Sequence, residues 1–197
     1  MGGLTTVKAS LLEARQGLDR LLSDESLLAT IAAAGEALAQ ALQQGGKVYS
    51  CGNGGSMCDA MHFAEELSGR YRKDRPALAA LSISDPSHMS CVSNDYGYEH
   101  VFSRFLQAHI RSGDVLLAIS TSGASPSILN ATQVARAAGA TVIGLHGRPG
   151  SALAALAEFD LVTPAGQFAD RVQELHIKVI HILIELVERR LFPANYV

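Results

Sequence analysis

From Lys47 to Glu66 the chain reads KVYSCGNGGSMCDAMHFAEE. Lys47 to Cys51 is β-branched and aromatic enough for a short strand, entered from the helix-stopping pair Gly45-Gly46. Gly52-Asn53-Gly54-Gly55-Ser56 is a glycine-rich turn. Met57 to Leu67 has neither Gly nor Pro and reads as a helix. Strand, glycine turn and helix N-terminus together bind anions, because the backbone comes close and unpaired N–H groups and the helix dipole face the ligand. On the same helix His62 and Glu66 are four residues apart and share a face. An anion cradle followed by an acid/base or metal-binding pair points to chemistry on a phosphorylated substrate.

Two familiar phosphate motifs do not fit. A dinucleotide fingerprint needs a third glycine where Met57 stands, and Asp85 lies too far on to be its ribose-binding acid. A Walker loop needs a lysine that the turn lacks. A tight strand-to-helix turn without a ligand is the plain alternative.

Outward from this stretch, apolar segments alternate with helical ones. Strands are expected at Leu78 to Ile83, Val115 to Ile119, Thr141 to Leu145 and Phe159 to Val162. Helices are expected at about 87–95, 98–111, 126–138 and 150–157. The fold class that follows is α/β, a five-stranded parallel sheet flanked by helices. Two N-terminal helices precede it, at 5–22 and 25–44, with Ser23-Asp24 as stop and new cap. They are free to cover a sheet edge or to meet another chain. A long helix at about 167–191 closes the chain, with Asp170 and Gln173 placed for a capping-box start. It is apolar on nearly every side, so more than one face should be buried, and a subunit interface is the expected second partner. One domain over 1–197 is the economical reading, with a helical part at 1–45 and an α/β core at 46–197.

Composition narrows the function. The net charge is -3 and no Lys/Arg run appears, which argues against a nucleic-acid surface. Tryptophan is absent and aromatics are 6%, so base stacking is not the main activity. No apolar run is long enough to span a membrane, and the N-terminus lacks a signal pattern. Three cysteines, Cys51, Cys58 and Cys91, read as reduced thiols of a cytoplasmic protein. Cys58 and His62 are also four apart, but no other cysteine completes a zinc spacing.

A second polar turn, Ser120-Thr121-Ser122-Gly123-Ala124-Ser125-Pro126, follows the third strand. Ligands of open α/β sheets bind at such carboxyl ends. Four hydroxyls and backbone N–H groups can hold a phosphate dianion without a lysine. This turn after Val115 to Ile119, with Cys51 to Ser56 upstream, resembles the sugar isomerase (SIS) domain. The match extends through His62-Phe63-Ala64-Glu65-Glu66, Gly69-Arg70-Tyr71, Asn94-Asp95-Tyr96-Gly97-Tyr98 and Gln173-Glu174 with His176 and His181. Taken together the motifs resemble the phosphoheptose isomerase family, over nearly the whole chain.

The resemblance implies an aldose–ketose isomerase acting on sedoheptulose 7-phosphate for bacterial heptose and lipopolysaccharide core biosynthesis. It also implies a homotetramer with active sites at subunit contacts. The family's catalytic pair falls on Glu66 and His181. Its substrate contacts fall on Asn53, Gly54, Gly55, Glu66, Asn94, Asp95, Ser120, Thr121, Ser122, Ser125 and Gln173. Some members bind zinc, through positions that land on His62, Glu66, Gln173 and His181. Gln173 and His181 are eight residues apart on one helix, about 12 Å of rise, so they are expected to reach a common site from different chains. The residue types suit an enediol mechanism, with Glu66 as base and His181 as acid/base. The competing reading is a non-catalytic SIS-fold binding protein of the replication-initiator-associating type, which would lack the acid/base residues. A sugar-phosphate-sensing regulator would need a DNA-binding domain for which no length remains.

Overall fold

The computed structural model describes residues 2–163 and 165–197. Its centre is one five-stranded sheet in the order β2-β1-β3-β4-β5, parallel throughout. The strands are β1 (Val48–Gly52), β2 (Ala80–Ser82), β3 (Val115–Ser120), β4 (Thr141–His146) and β5 (Phe159–Val162). β1 and β3 are buried along their whole length, which explains their near-continuous apolar sequence. Among the described residues, seven α-helices accompany them: α1 (Gly3–Ser23), α2 (Glu25–Gln43), α3 (Gly55–Ser68), α4 (Pro86–Tyr96), α5 (Val101–His109), α6 (Pro126–Ala137) and α7 (Ala169–Leu191). Among the described residues, no helix is long and apolar enough to cross a membrane.

Alternation along the strands sorts the core into two layers. Val115, Leu117 and Ile119 pack with Leu38 of α2, Phe63 and Leu67 of α3, and Val179 and Leu183 of α7. Leu116 and Ala118 face the other way, onto Phe102 and Leu106 of α5 and Ile128 and Ala131 of α6. The strand order reverses between β1 and β3. Their carboxyl ends, with Gly52 paired to Ile119, therefore flank the crevice in which open α/β sheets place ligands. Both polar turns open onto that crevice.

Several local expectations are corrected. β2 begins at Ala80, not Leu78, because the Leu78 amide donates to the Leu67 carbonyl of α3 rather than to the sheet. Residues 150–157 form turns, not a helix. Gly150 has φ +68°, the Ser151 hydroxyl takes the Ala154 amide, and the Leu153 amide is committed to the Gly123 carbonyl. The expected helix over 98–111 divides into a 3-10 turn, Tyr98–His100, and α5. The start of α7 carries no side-chain cap, so Asp170 and Gln173 form no capping box. Asp24, by contrast, caps α2 through the Leu27 amide.

α7 buries more than one face, as its apolar girth implied. It packs on α2, α3 and α1, while Ile177, Ile182, Leu186 and Leu191 are only partly buried. α1 leaves a run of apolar residues open, with Leu4, Val7, Leu11, Leu12, Leu18 and Leu22 43–69% exposed.

Candidate active site

The first turn is built for close approach. Gly54, the N-cap of α3, has φ +56°, in the left-handed region that a side chain disfavours. At Gly55 a Cβ would lie 2.5 Å from Gln173 Nε2, so Gln173 rests on the N-terminus of α3. The second turn gathers hydroxyls. Ser120 Oγ lies 3.4 Å from Ser122 Oγ and 3.2 Å from Ser125 Oγ, and it accepts the Gly123 amide at 3.2 Å. Ser125 is the N-cap residue of α6, yet its hydroxyl makes no cap bond and faces Ser120 instead. Thr121 and Ser122 are half-buried, at the rim of a cavity shared with Gly147, Arg148 and Gln167. Beneath Gly123, His146 pairs with Asp160 and lies 3.4 Å from the Ser151 hydroxyl, which props the turn from below.

A clip joins the two turns. Asn53 Nδ2 donates to Ser127 Oγ at 3.0 Å, and the Tyr98 hydroxyl donates to Asn53 Oδ1 at 2.9 Å. The Asn53 amide is thus held at both ends. Tyr98 and Ser127 escaped the sequence reading because no spacing rule links them to position 53. Tyr98→Phe removes one of these bonds, and sugar-phosphate binding by calorimetry should weaken by about 2–10-fold, the worth of one hydrogen bond. Asn94 and Asp95 stand exposed at the end of α4, bonded to each other at 2.7 Å. Among the described residues no hydrogen bond ties them to either turn.

Two turns along α3 lies a titratable cluster. His62 Nε2 is 2.9 Å from His181 Nε2 and 3.6 Å from Glu66 Oε1. His62 Nδ1 is 2.9 Å from Glu65 Oε1, a residue missed in the sequence although its i, i+3 spacing puts it on the same face. Nδ1 of His62 is thus turned to Glu65 and Nε2 to Glu66 and His181. Burial raises the Glu66 pKa, the Glu65 carboxylate raises it further, and His62 opposes. Burial lowers the His181 pKa, helped by His62, Lys178 and Arg72, so its ring is neutral near pH 7 and can both give and take a proton. Asp59, one turn before His62, has a pKa pushed up to about 6 by burial, with one oxygen lacking a partner. His176 is fully buried with a pKa lowered to about 3 by burial, and stays a neutral core residue.

The cluster fits a metal ion. Donor atoms of His62, Glu65 and Glu66 lie within 4.8 Å of one another, and His181 adds a second imidazole. Imidazole and carboxylate donors suit zinc. Gln173 is not part of this cluster within the chain, since its side chain rests on Gly55.

The SIS domain family matches residues 12–147. The phosphoheptose isomerase of Aeromonas hydrophila is 56% identical over 185 residues, covering 94% of this chain and 96% of that protein. Two solved structures align closely. A phosphoheptose isomerase from Francisella tularensis has a TM-score of 0.90 at 30% identity, covering 96% of this chain and all of that one. One from Neisseria gonorrhoeae has a TM-score of 0.86 at 36% identity, covering 94% and 98%.

Proposed function

The chain belongs to the SIS domain family, among the phosphoheptose isomerases, and from that premise we propose that it converts sedoheptulose 7-phosphate to D-glycero-D-manno-heptose 7-phosphate. The reaction would serve bacterial heptose and lipopolysaccharide core biosynthesis in the cytoplasm. The observation that carries the reading is the pairing of a hydroxyl-rich anion cradle at the strand-order switch with a cluster of His62, Glu66 and His181 nearby.

The phosphate sits between the two turns, held by Ser120, Thr121, Ser122 and Ser125 and by the Gly55 N–H at the N-terminus of α3. Glu66 as carboxylate takes the proton from C1 of the ketose, giving an enediolate with its charge on O2. The neutral His181 passes its proton to O2 and takes up the O1 proton in exchange, so the ring ends neutral as it began. Protonated Glu66 then returns its proton to C2, leaving the aldehyde at C1. His62, Glu66 and His181, joined by Gln173 of a neighbouring chain, are the residues that would hold zinc, which when bound would supply Lewis-acid stabilisation of charge on the two oxygens. Glu65 orients His62 toward that position, as carboxylates commonly do for metal-binding histidines. Glu65→Ala should therefore lower zinc affinity by about 10–100-fold, measured by competition with a chromogenic chelator. An unchanged affinity would remove Glu65 from this role.

The deciding experiment incubates purified protein with sedoheptulose 7-phosphate, with and without chelator, and follows the aldose formed. Conversion supports the reading, and no conversion by zinc-replete protein refutes it. A non-catalytic binding protein is not favoured, because both Glu66 and His181 are present.

Support for a homotetramer comes from α1 rather than α7. A stripe of leucines and valine along one exposed helix is the kind of surface that obligate interfaces bury. Light scattering at micromolar concentration should give four chains per particle. Leu11→Glu should shift that mass downward, and an unaltered tetramer would place the interface elsewhere.

A further inference from the structure

The segment that follows α3 folds back on it through a buried cation. Arg75 and Glu188 have side chains 1% and 0% exposed, and Arg75 Nε donates to Glu188 Oε1 at 2.8 Å. The rest of the guanidinium serves the end of α3. Nη2 donates to the Glu66 carbonyl at 2.7 Å, and Nη1 to the carbonyls of Leu67 at 2.8 Å and Gly69 at 3.0 Å. The last carbonyls of a helix lack partners within it, and a cation there also meets the negative end of the dipole. The other oxygen of Glu188 accepts from the Tyr196 hydroxyl at 2.8 Å. Burial and the Glu188 carboxylate raise the Tyr196 pKa, so that hydroxyl keeps its proton and donates. One connected network thus runs from the C-terminal 3-10 turn, Pro193–Tyr196, through α7 to the Glu66 carbonyl.

The same segment touches the other half of the cluster. The Tyr71 ring lies 5.9 Å from that of His181, and Arg72 is pinned to Glu185 of α7 at 2.8 Å. Well-packed apolar residues could join these elements at no loss of stability, since a buried ion pair gains little net. A guanidinium fork adds geometry: rigid donors at fixed angles, which hold backbone carbonyls in place. Geometry is what a proton-transfer base requires.

Resting on the reading of Glu66 as the base, we propose that Arg75, oriented by Glu188 and Tyr196, is a positioning residue for the isomerisation. It fixes the last turn of α3, and so the depth at which the Glu66 carboxylate meets the substrate. The phosphate cradle lies at the opposite end of α3 and is untouched by the network.

The test uses Arg75→Lys and Tyr196→Phe in the full chain. Kinetics with sedoheptulose 7-phosphate are read beside thermal melts and amide hydrogen exchange. Arg75→Lys keeps the charge but loses the fork, and kcat should fall by about 10–100-fold, as for a misplacement of about 1 Å. KM should move by less than about twofold, because cradle binding is unaltered. Tyr196→Phe leaves the Arg75–Glu188 pair in place and should lower kcat by a smaller factor, with faster exchange confined to the last turn of α3. Folded variants with wild-type kcat overturn the proposal. So does a fall in activity that only tracks a lost folded fraction. If Arg75→Lys does not fold, the kcat and exchange of Tyr196→Phe decide alone. A wild-type chain without turnover overturns the isomerase reading and this proposal with it, whereas an active wild type with unaffected variants overturns this proposal alone.

Discussion

Glu66→Gln should abolish turnover in a chain that stays folded and still binds sugar phosphate. The amide matches the carboxylate in size, and the side chain is only partly enclosed, so packing should change little. The hydroxyls expected to hold the phosphate belong to β3 and the turn before α6, and none is altered. An amide cannot accept a carbon-bound proton, so the loss should fall on kcat, by about 10²–10⁴-fold or more for a removed general base. The pH profile supplies a second signature. Glu66 acts as carboxylate, and burial raises its pKa. The acid limb of kcat/KM should therefore lie above the ordinary carboxylate range, with activity falling as pH drops through it. Metal content of the variant separates the proton-transfer role from a ligand role. Near-normal turnover would mean that Glu66 is not the base. Lost turnover with lost binding would move the proton transfer to another residue, His62 being the first to test.

The sequence exposed the frame of this fold because its frame is periodic. β1, β3 and β4 are apolar runs bounded by glycines, and α3 is a helix between a glycine turn and Gly69. What escaped it was decided by partners far along the chain. Residues 150–157 have helical composition, but the Leu153 amide is taken by Gly123, thirty residues earlier. The apolar girth of α7 is legible, but its main packing partner, α2, lies more than a hundred residues away. The exposed face of α1 shows the converse, since its apolar spacing marked a helix but not which side would be covered.

The site divides in the same manner. His62 and Glu66 share a face by spacing alone, while their meeting with His181 depends on how α3 packs on α7. Arg75 carried no local signal at all. Its burial depends on Glu188, which from sequence is an ordinary surface charge near the end of a helix.

Chains carrying Gln173→Ala and chains carrying His181→Ala should each be inactive alone and regain activity when unfolded together and refolded as mixed oligomers. α7 places the two residues at different stations along α3. Gln173 rests on Gly55 at the helix N-terminus, and His181 meets His62 further along. The offset of eight positions between them rises about 12 Å, whereas ligand bonds to zinc are about 2 Å long. The gap is not closed by bending, because helical side chains all lean toward the N-terminus and the Gln173 side chain moves away from His181 as that of His181 follows. A second chain resolves the conflict if its Gln173 enters the site built around His62, Glu66 and His181 of the first. In a random mixture about a quarter of such shared sites draw an intact His181 from one chain and an intact Gln173 from its neighbour, so roughly that fraction of wild-type activity should return. If both groups came from one chain, every site would carry a defect and mixing would restore nothing. Activity absent from the mixture, with oligomers of normal mass, would refute the shared site. Gln173 would then act where it stands, against the N-terminus of α3.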